Sequence, residues 1–139
     1  MPKIASDTDY FYLELKEGII HFQHKPGTID LTMAKKIVEE RLRLFNGRSY
    51  PLLITGEGLA DISKDARLYL SSDKGTEGIL AGALLSNSVF ETFLGNFIIQ
   101  VTRPGIPVRL FMEKWKALEW LEQFKTVNLK QKISCGSEV

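Results

Sequence analysis

Ser63 is the side chain best placed to do chemistry in this sequence. It follows Asp61 and Ile62, precedes Lys64 and Asp65, and stands where a helix should begin. A hydroxyl at that position accepts from the first free backbone N–H groups of the helix. A phosphate on the same oxygen would meet those donors and the positive end of the helix dipole. Ser63, Asp61 and Lys64 therefore form a candidate phosphorylation switch. An unmodified Ser63 also serves as a plain N-cap, and the sequence leaves both readings open.

Other reactive residues are sparse. His21 and His24 lie three apart on a predicted strand, so they point to opposite faces and cannot share a metal. With two histidines and one cysteine, no metal set is expected. Gly56-Glu57-Gly58 follows a predicted strand. The third small residue of a dinucleotide fingerprint is replaced by Asp61, and Glu57 and Asp61 would repel phosphate. The segment reads as a connecting turn. Cys135 sits in a polar tail and has no disulfide partner in the chain, which fits a reducing, cytoplasmic setting. No nucleophile is followed by an evident base, no cofactor is implied, and catalysis is not expected.

Segment 89–101 carries the least ordinary pattern. At about 100° per residue, Val89, Phe90, Phe93, Leu94, Phe97, Ile98 and Val101 cover about half of a helix circumference. A helix lying on one sheet face needs a narrower stripe. Either neighbouring elements bury this helix deeply, or it meets a second chain or an apolar ligand.

The elements that must position these residues are well marked. Phe11, Leu13 and Leu15 alternate with Tyr12 and Glu14, giving a strand over 10–16. Glu17-Gly18 is a two-residue hairpin signal, and Ile19–His24 should return antiparallel. Asp30 caps a helix over Leu31–Phe45. Its core stripe is Leu31, Ala34, Ile37, Val38, Leu42 and Phe45, with Glu39, Glu40, Arg41 and Arg43 on the solvated face. Asn46-Gly47 stops it. Tyr50–Thr55 reads as a buried strand. Ser63 opens a helix over 64–71, with Ala66 and Leu70 facing in. Ile79–Leu85 is a strand whose Ala81, Gly82 and Ala83 admit a close helix. Val108–Phe111 is a last core strand. A helix over 113–124 follows, with Trp115, Leu118, Leu121 and Phe124 inward.

This order predicts one α/β domain, with a mixed sheet of about five strands and about four helices. It reads β-β-α-β-α-β-α-β-α over 8–124, with a polar tail at 125–139. The length of 139 residues suits one domain with a sizeable core. The long apolar run 79–101 is broken by Ser86-Asn87-Ser88, Glu91, Gly95 and Asn96, so a strand plus a helix is expected and not a membrane span. The N-terminal residues Met1 to Asp7 contain no apolar leader. A net charge of +1, from 18 basic and 17 acidic residues, argues against nucleic acid or anionic membrane as the partner.

The order resembles that of the STAS domain and its SpoIIAA-like relatives. Three segments carry the resemblance. They are Pro51-Leu52-Leu53-Ile54-Thr55, then Asp61-Ile62-Ser63-Lys64-Asp65-Ala66-Arg67, then Val108-Arg109-Leu110-Phe111 with Ala117-Leu118-Glu119-Trp120-Leu121. The resemblance implies a small α/β protein with a mixed sheet. It also implies, for the anti-sigma factor antagonists among these proteins, a serine at the start of a helix that a partner kinase phosphorylates. Ser63 occupies a comparable place. The family pattern there is close to Asp-Ser-Ser-Gly, whereas this chain reads Asp61-Ile62-Ser63-Lys64 and lacks the glycine.

Three functions follow as expectations. The first is a non-enzymatic regulatory module that binds protein, as a homodimer through 89–101. The second is a phosphoregulated switch at Ser63. The third is a carrier of a small apolar or lipid-like ligand, held by the apolar face of 89–101.

Overall fold

The computed structural model describes residues 4–25, 27–55, 62–85 and 105–125. Among these residues, six strands form one mixed sheet and three helices pack on it. The strands are β1 (Ala5–Asp7), β2 (Phe11–Lys16), β3 (Ile19–His24), β4 (Tyr50–Thr55), β5 (Ile79–Leu85) and β6 (Val108–Phe111). The helices are α1 (Leu31–Phe45), α2 (Lys64–Leu70) and α3 (Lys114–Lys125). Sheet order follows chain order, β1-β2-β3-β4-β5-β6.

Strands β1 to β3 are antiparallel, and β3 to β6 are parallel. The β2–β3 turn forms as its two residues require. Glu17 and Gly18 both adopt positive φ, 52° and 78°, which matches the twist of a two-residue hairpin. That turn fixes the register, with Lys16 opposite Ile19 and Leu13 opposite Phe22. The side-chain period of two then places Phe11, Leu13, Ile20 and Phe22 on one face. The Phe11 and Phe22 rings stack with centroids 5.6 Å apart.

Strand β1 lies outside the expected set. Three residues, two of them polar, are too few to show a period. It is held by its pairing to β2 and by Ser6, whose hydroxyl donates to the Glu40 carboxylate of α1 at 2.6 Å. Strand β6, expected as the last core strand, forms at Val108–Phe111 and ends the sheet beside β5. The predicted helix at 89–101 and the Gly56-Glu57-Gly58 turn lie outside the described residues.

Both caps form at the expected residues. Asp30 Oδ1 accepts from the Met33 N–H at 2.9 Å, and Asn46 closes α1 in the left-handed region, followed by Gly47 at φ 83°. Helices α1 and α2 pack together over the Phe11–Phe22 face, where Ala34, Ile37, Phe45 and Ala66 are buried. Helix α3 takes the opposite face. Its Ala117 and Leu121 sit on Ile19, Leu53, Ala81 and Ala83. The small side chains of β5 let it approach, as the sequence suggested.

Four side chains depart from expectation. Arg41, placed on the solvated face by sequence, is only 4% exposed. Trp115, placed inward, is 59% exposed, while Trp120 packs against the core in its stead. His24 is buried at 6% exposure, at the end of β3 opposite Phe11. Leu31 of the predicted α1 stripe is half-buried.

Candidate functional site

Parallel strands β3 to β6 all end on one edge of the sheet, and helices begin there. Two helix starts are tied together at that edge. The Ser63 N–H donates to the Ile29 carbonyl at 2.9 Å, and Ile29 and Ile62 form an isolated parallel bridge. Ile29 precedes the N-cap of α1, and Ser63 is the N-cap of α2.

The Ser63 side chain does two jobs at once. Its Oγ accepts from the Ala66 N–H at 3.3 Å and donates to Asp65 Oδ1 at 2.6 Å. Asp65 Oδ1 also accepts from the Ala66 N–H at 3.0 Å. The hydrogen bond from Ser63 holds the Asp65 carboxyl below its ordinary range, and the Ala66 backbone adds to this. A phosphate on Ser63 would have to displace Asp65, because like charges would face each other at hydrogen-bond distance. Lys64 is exposed beside it. Of the predicted switch residues, Ser63 and Lys64 thus adjoin at the start of α2, and Asp61 lies outside the described residues.

Helix α2 is anchored through Ala66, with Tyr69 and Leu70 packed half-buried against the same core. Ala66 is its one buried residue, and Leu68 is 49% exposed. The apolar group Val89, Phe90, Phe93, Leu94, Phe97, Ile98 and Val101 falls outside the described residues.

The histidines point to opposite faces, as alternation along β3 requires. His21 sits across from Glu14 in register, on the face that α3 partly covers. Its pKa is lowered, first by burial and then by Lys114 and Lys16, against the opposing pull of Glu14 and Glu17. Among the described residues, no group of three or more His, Cys, Asp or Glu is placed to hold a metal ion. No helix among them is long and apolar enough to cross a membrane.

Sequence reasoning missed a buried charge, Arg41. Arg41 Nη2 donates to the Gly75 carbonyl at 2.8 Å, and Nη1 donates to the Glu77 carbonyl. Burial lowers the guanidinium pKa to about 10, which leaves it charged at neutral pH. One signal was available: Arg41 lies four residues after Ile37 and four before Phe45, inside the apolar stripe.

Comparison with known proteins agrees with this architecture. The model of a family described as a domain of unknown function, DUF7793, matches residues 13–125. An uncharacterised protein of the DUF3478 family from Shewanella loihica PV-4, with a SpoIIAA-like fold, superposes with a TM-score of 0.51. It is 14% identical, and the match covers 86% of this chain and 92% of that one. At that identity the likeness speaks for the fold alone, which is SpoIIAA-like. No curated protein matches the chain.

Proposed function

Since the chain belongs to the DUF7793 family, whose function is unknown, we propose from its geometry that it works by binding protein and not by catalysis. The partner-facing element is α2, together with the apolar segment 89–101, and the partner is a second copy of the chain. The observation that carries this reading is Leu68. A large apolar side chain, 49% exposed, stands on the outer side of a helix whose Ala66, Tyr69 and Leu70 pack on the core. A single exposed leucine is ordinary on a protein surface, and Leu68 supports the reading only together with the broad apolar pattern of segment 89–101. The polar groups near it support binding over chemistry, since the Ser63 hydroxyl and the Asp65 carboxylate are both occupied in capping α2.

Light scattering coupled to size-exclusion chromatography tests this reading on wild type, Leu68→Glu and Phe93→Glu. A wild-type dimer that both substitutions convert to a folded monomer is the expected result. A wild-type monomer at high concentration overturns self-association.

A second reading makes Ser63 the regulator of that surface. The short Ser63–Asp65 hydrogen bond favours it, because a phosphate would break that bond and re-form the first turn beside Leu68. Ser63→Asp should then shift the monomer–dimer balance while Ser63→Ala does not. Identical behaviour of both variants and wild type removes this reading.

A further inference from the structure

Arg41 borders a cleft of about 60 Å³ at the edge of the sheet opposite Ser63. Ile20, Leu42 and Phe45 form its apolar back, and Asn46, Gly47, Arg48, Glu77 and Gly78 form its rim. We propose that this cleft binds a small oxyanion of the phosphate type, held between the buried guanidinium of Arg41 and the exposed one of Arg48.

Charge is the first argument. A buried cation normally has an acid beside it. Arg41 has two carbonyl acceptors, and among the described residues it makes no ion pair. The acidic residue at the rim, Glu77, has its carboxylate 3.4 Å from Lys74. A guanidinium carries five N–H donors in a planar fork suited to oxyanions, and the two carbonyls use two of its N–H groups. Helix α1 ends at this rim and opposes an anion with about half a negative charge. The Glu77 carboxylate adds a further negative charge at the rim and faces Arg41 electrostatically, but Lys74 stands beside it, so the three cations Arg41, Arg48 and Lys74 exceed the carboxylate and the helix end together.

Shape is the second argument. Gly78 has φ +80°, and a Cβ there would sit 3.6 Å from Arg41 Nη1 and 3.3 Å from the Arg48 carbonyl. The positive φ calls for glycine, and a Cβ in ordinary contact with Arg41 Nη1 would narrow the cleft beside the guanidinium. The volume is too small for a metabolite-sized ligand, which needs about 300 Å³ or more. It suits a single phosphate group.

The test is a titration of the full chain with sodium phosphate, against sodium chloride at equal ionic strength, followed by thermal unfolding and by the amide signals of Gly47 and Gly78. Saturable stabilisation with movement of those amides is expected. Arg48→Ala, at an exposed position, should fold normally and raise the half-saturating concentration about tenfold, the worth of one charge-assisted contact. Equal responses of wild type and Arg48→Ala overturn the proposal and leave Arg41 a structural clamp. Sodium acetate stabilising more strongly than phosphate also overturns it.

Discussion

The Arg41 guanidinium reaches across 34 residues of sequence to donate to the Gly75 carbonyl at 2.8 Å. Its second bond, to the Glu77 carbonyl, spans 36 residues. One side chain of α1 thereby fastens the connection between α2 and β5. Replacing it by methionine preserves the aliphatic stem but leaves two carbonyls without their donor. Each such loss costs about 1–3 kcal/mol, so Arg41→Met should destabilise the fold by about 2–6 kcal/mol. Arg41→Lys keeps the charge but loses the planar fork, and its loss should be smaller. Urea unfolding checks both, through lower midpoints at unchanged slope.

Gly75 is as constrained as the arginine it receives. A Cβ there would lie 2.2 Å from the Tyr69 carbonyl oxygen and 2.6 Å from that of Leu70. Both atoms are backbone, so no side chain can swing aside. Gly75→Ala should cost about 2 kcal/mol or more by forcing the turn off the end of α2. Gly47→Ala is the informative control. Its φ is 83° and a Cβ there meets nothing within 4 Å, so its cost of about 1 kcal/mol is conformational alone. Unfolding midpoints of the two variants separate clash from backbone strain.

Features written in adjacent residues were legible, and features written across the fold were not. The Glu17-Gly18 hairpin and the Asp30 and Ser63 caps each depend on a few consecutive residues, and each forms where the sequence places it. Arg41 was misplaced because its acceptors lie in a distant turn, so its charge outvoted its position in the stripe. Trp115 was misplaced for a related reason. The inward face of α3 is set by Ala117 and Leu121, four apart, which at about 100° per residue leaves Trp115 on the outer side despite its size. Strand β1 exists through β2 and Glu40, not through its own pattern.

The two tryptophans should therefore respond differently to removal. Trp120 packs on Phe111 and Phe124, at ring centroid distances of 5.6 Å and 4.9 Å, and Arg109 lies over it. Trp120→Ala should cost about 3 kcal/mol. The Trp115 indole N–H donates to the Glu113 carboxylate at 3.0 Å in an exposed position. Trp115→Ala should stay within about 0.5 kcal/mol of wild type. Fluorescence gives an independent check, since the emission of the variant that keeps only Trp115 should be the more red-shifted.

Ser63 offers a stability prediction separate from any switch. Ser63→Ala removes the oxygen that caps Ala66 and should cost about 1 kcal/mol. Ser63→Asp keeps an acceptor at the N-cap and should cost less than Ser63→Ala. The Asp65 carboxyl reports the difference. Losing the Ser63 hydrogen bond should return its pKa toward the ordinary carboxylate value in Ser63→Ala, read by NMR titration of the Asp65 side chain.

His21 gives the pH dependence a sign. Its pKa in the fold lies below 6.5, first through burial and then through the positive charges of Lys114 and Lys16. A lowered value means that the unfolded chain takes up the proton first as pH falls. The neutral imidazole therefore contributes stability that is present above pH 6.5 and is lost as pH falls through the folded value. Lys114→Ala removes one of the two lowering charges, so the His21 pKa should rise and the acid loss should shrink. Proton NMR of the imidazole ring, followed from pH 8 to pH 4 in wild type and Lys114→Ala, measures the pKa directly. A His21 that titrates above its ordinary value in wild type would reverse the sign, and stability would then rise toward acid.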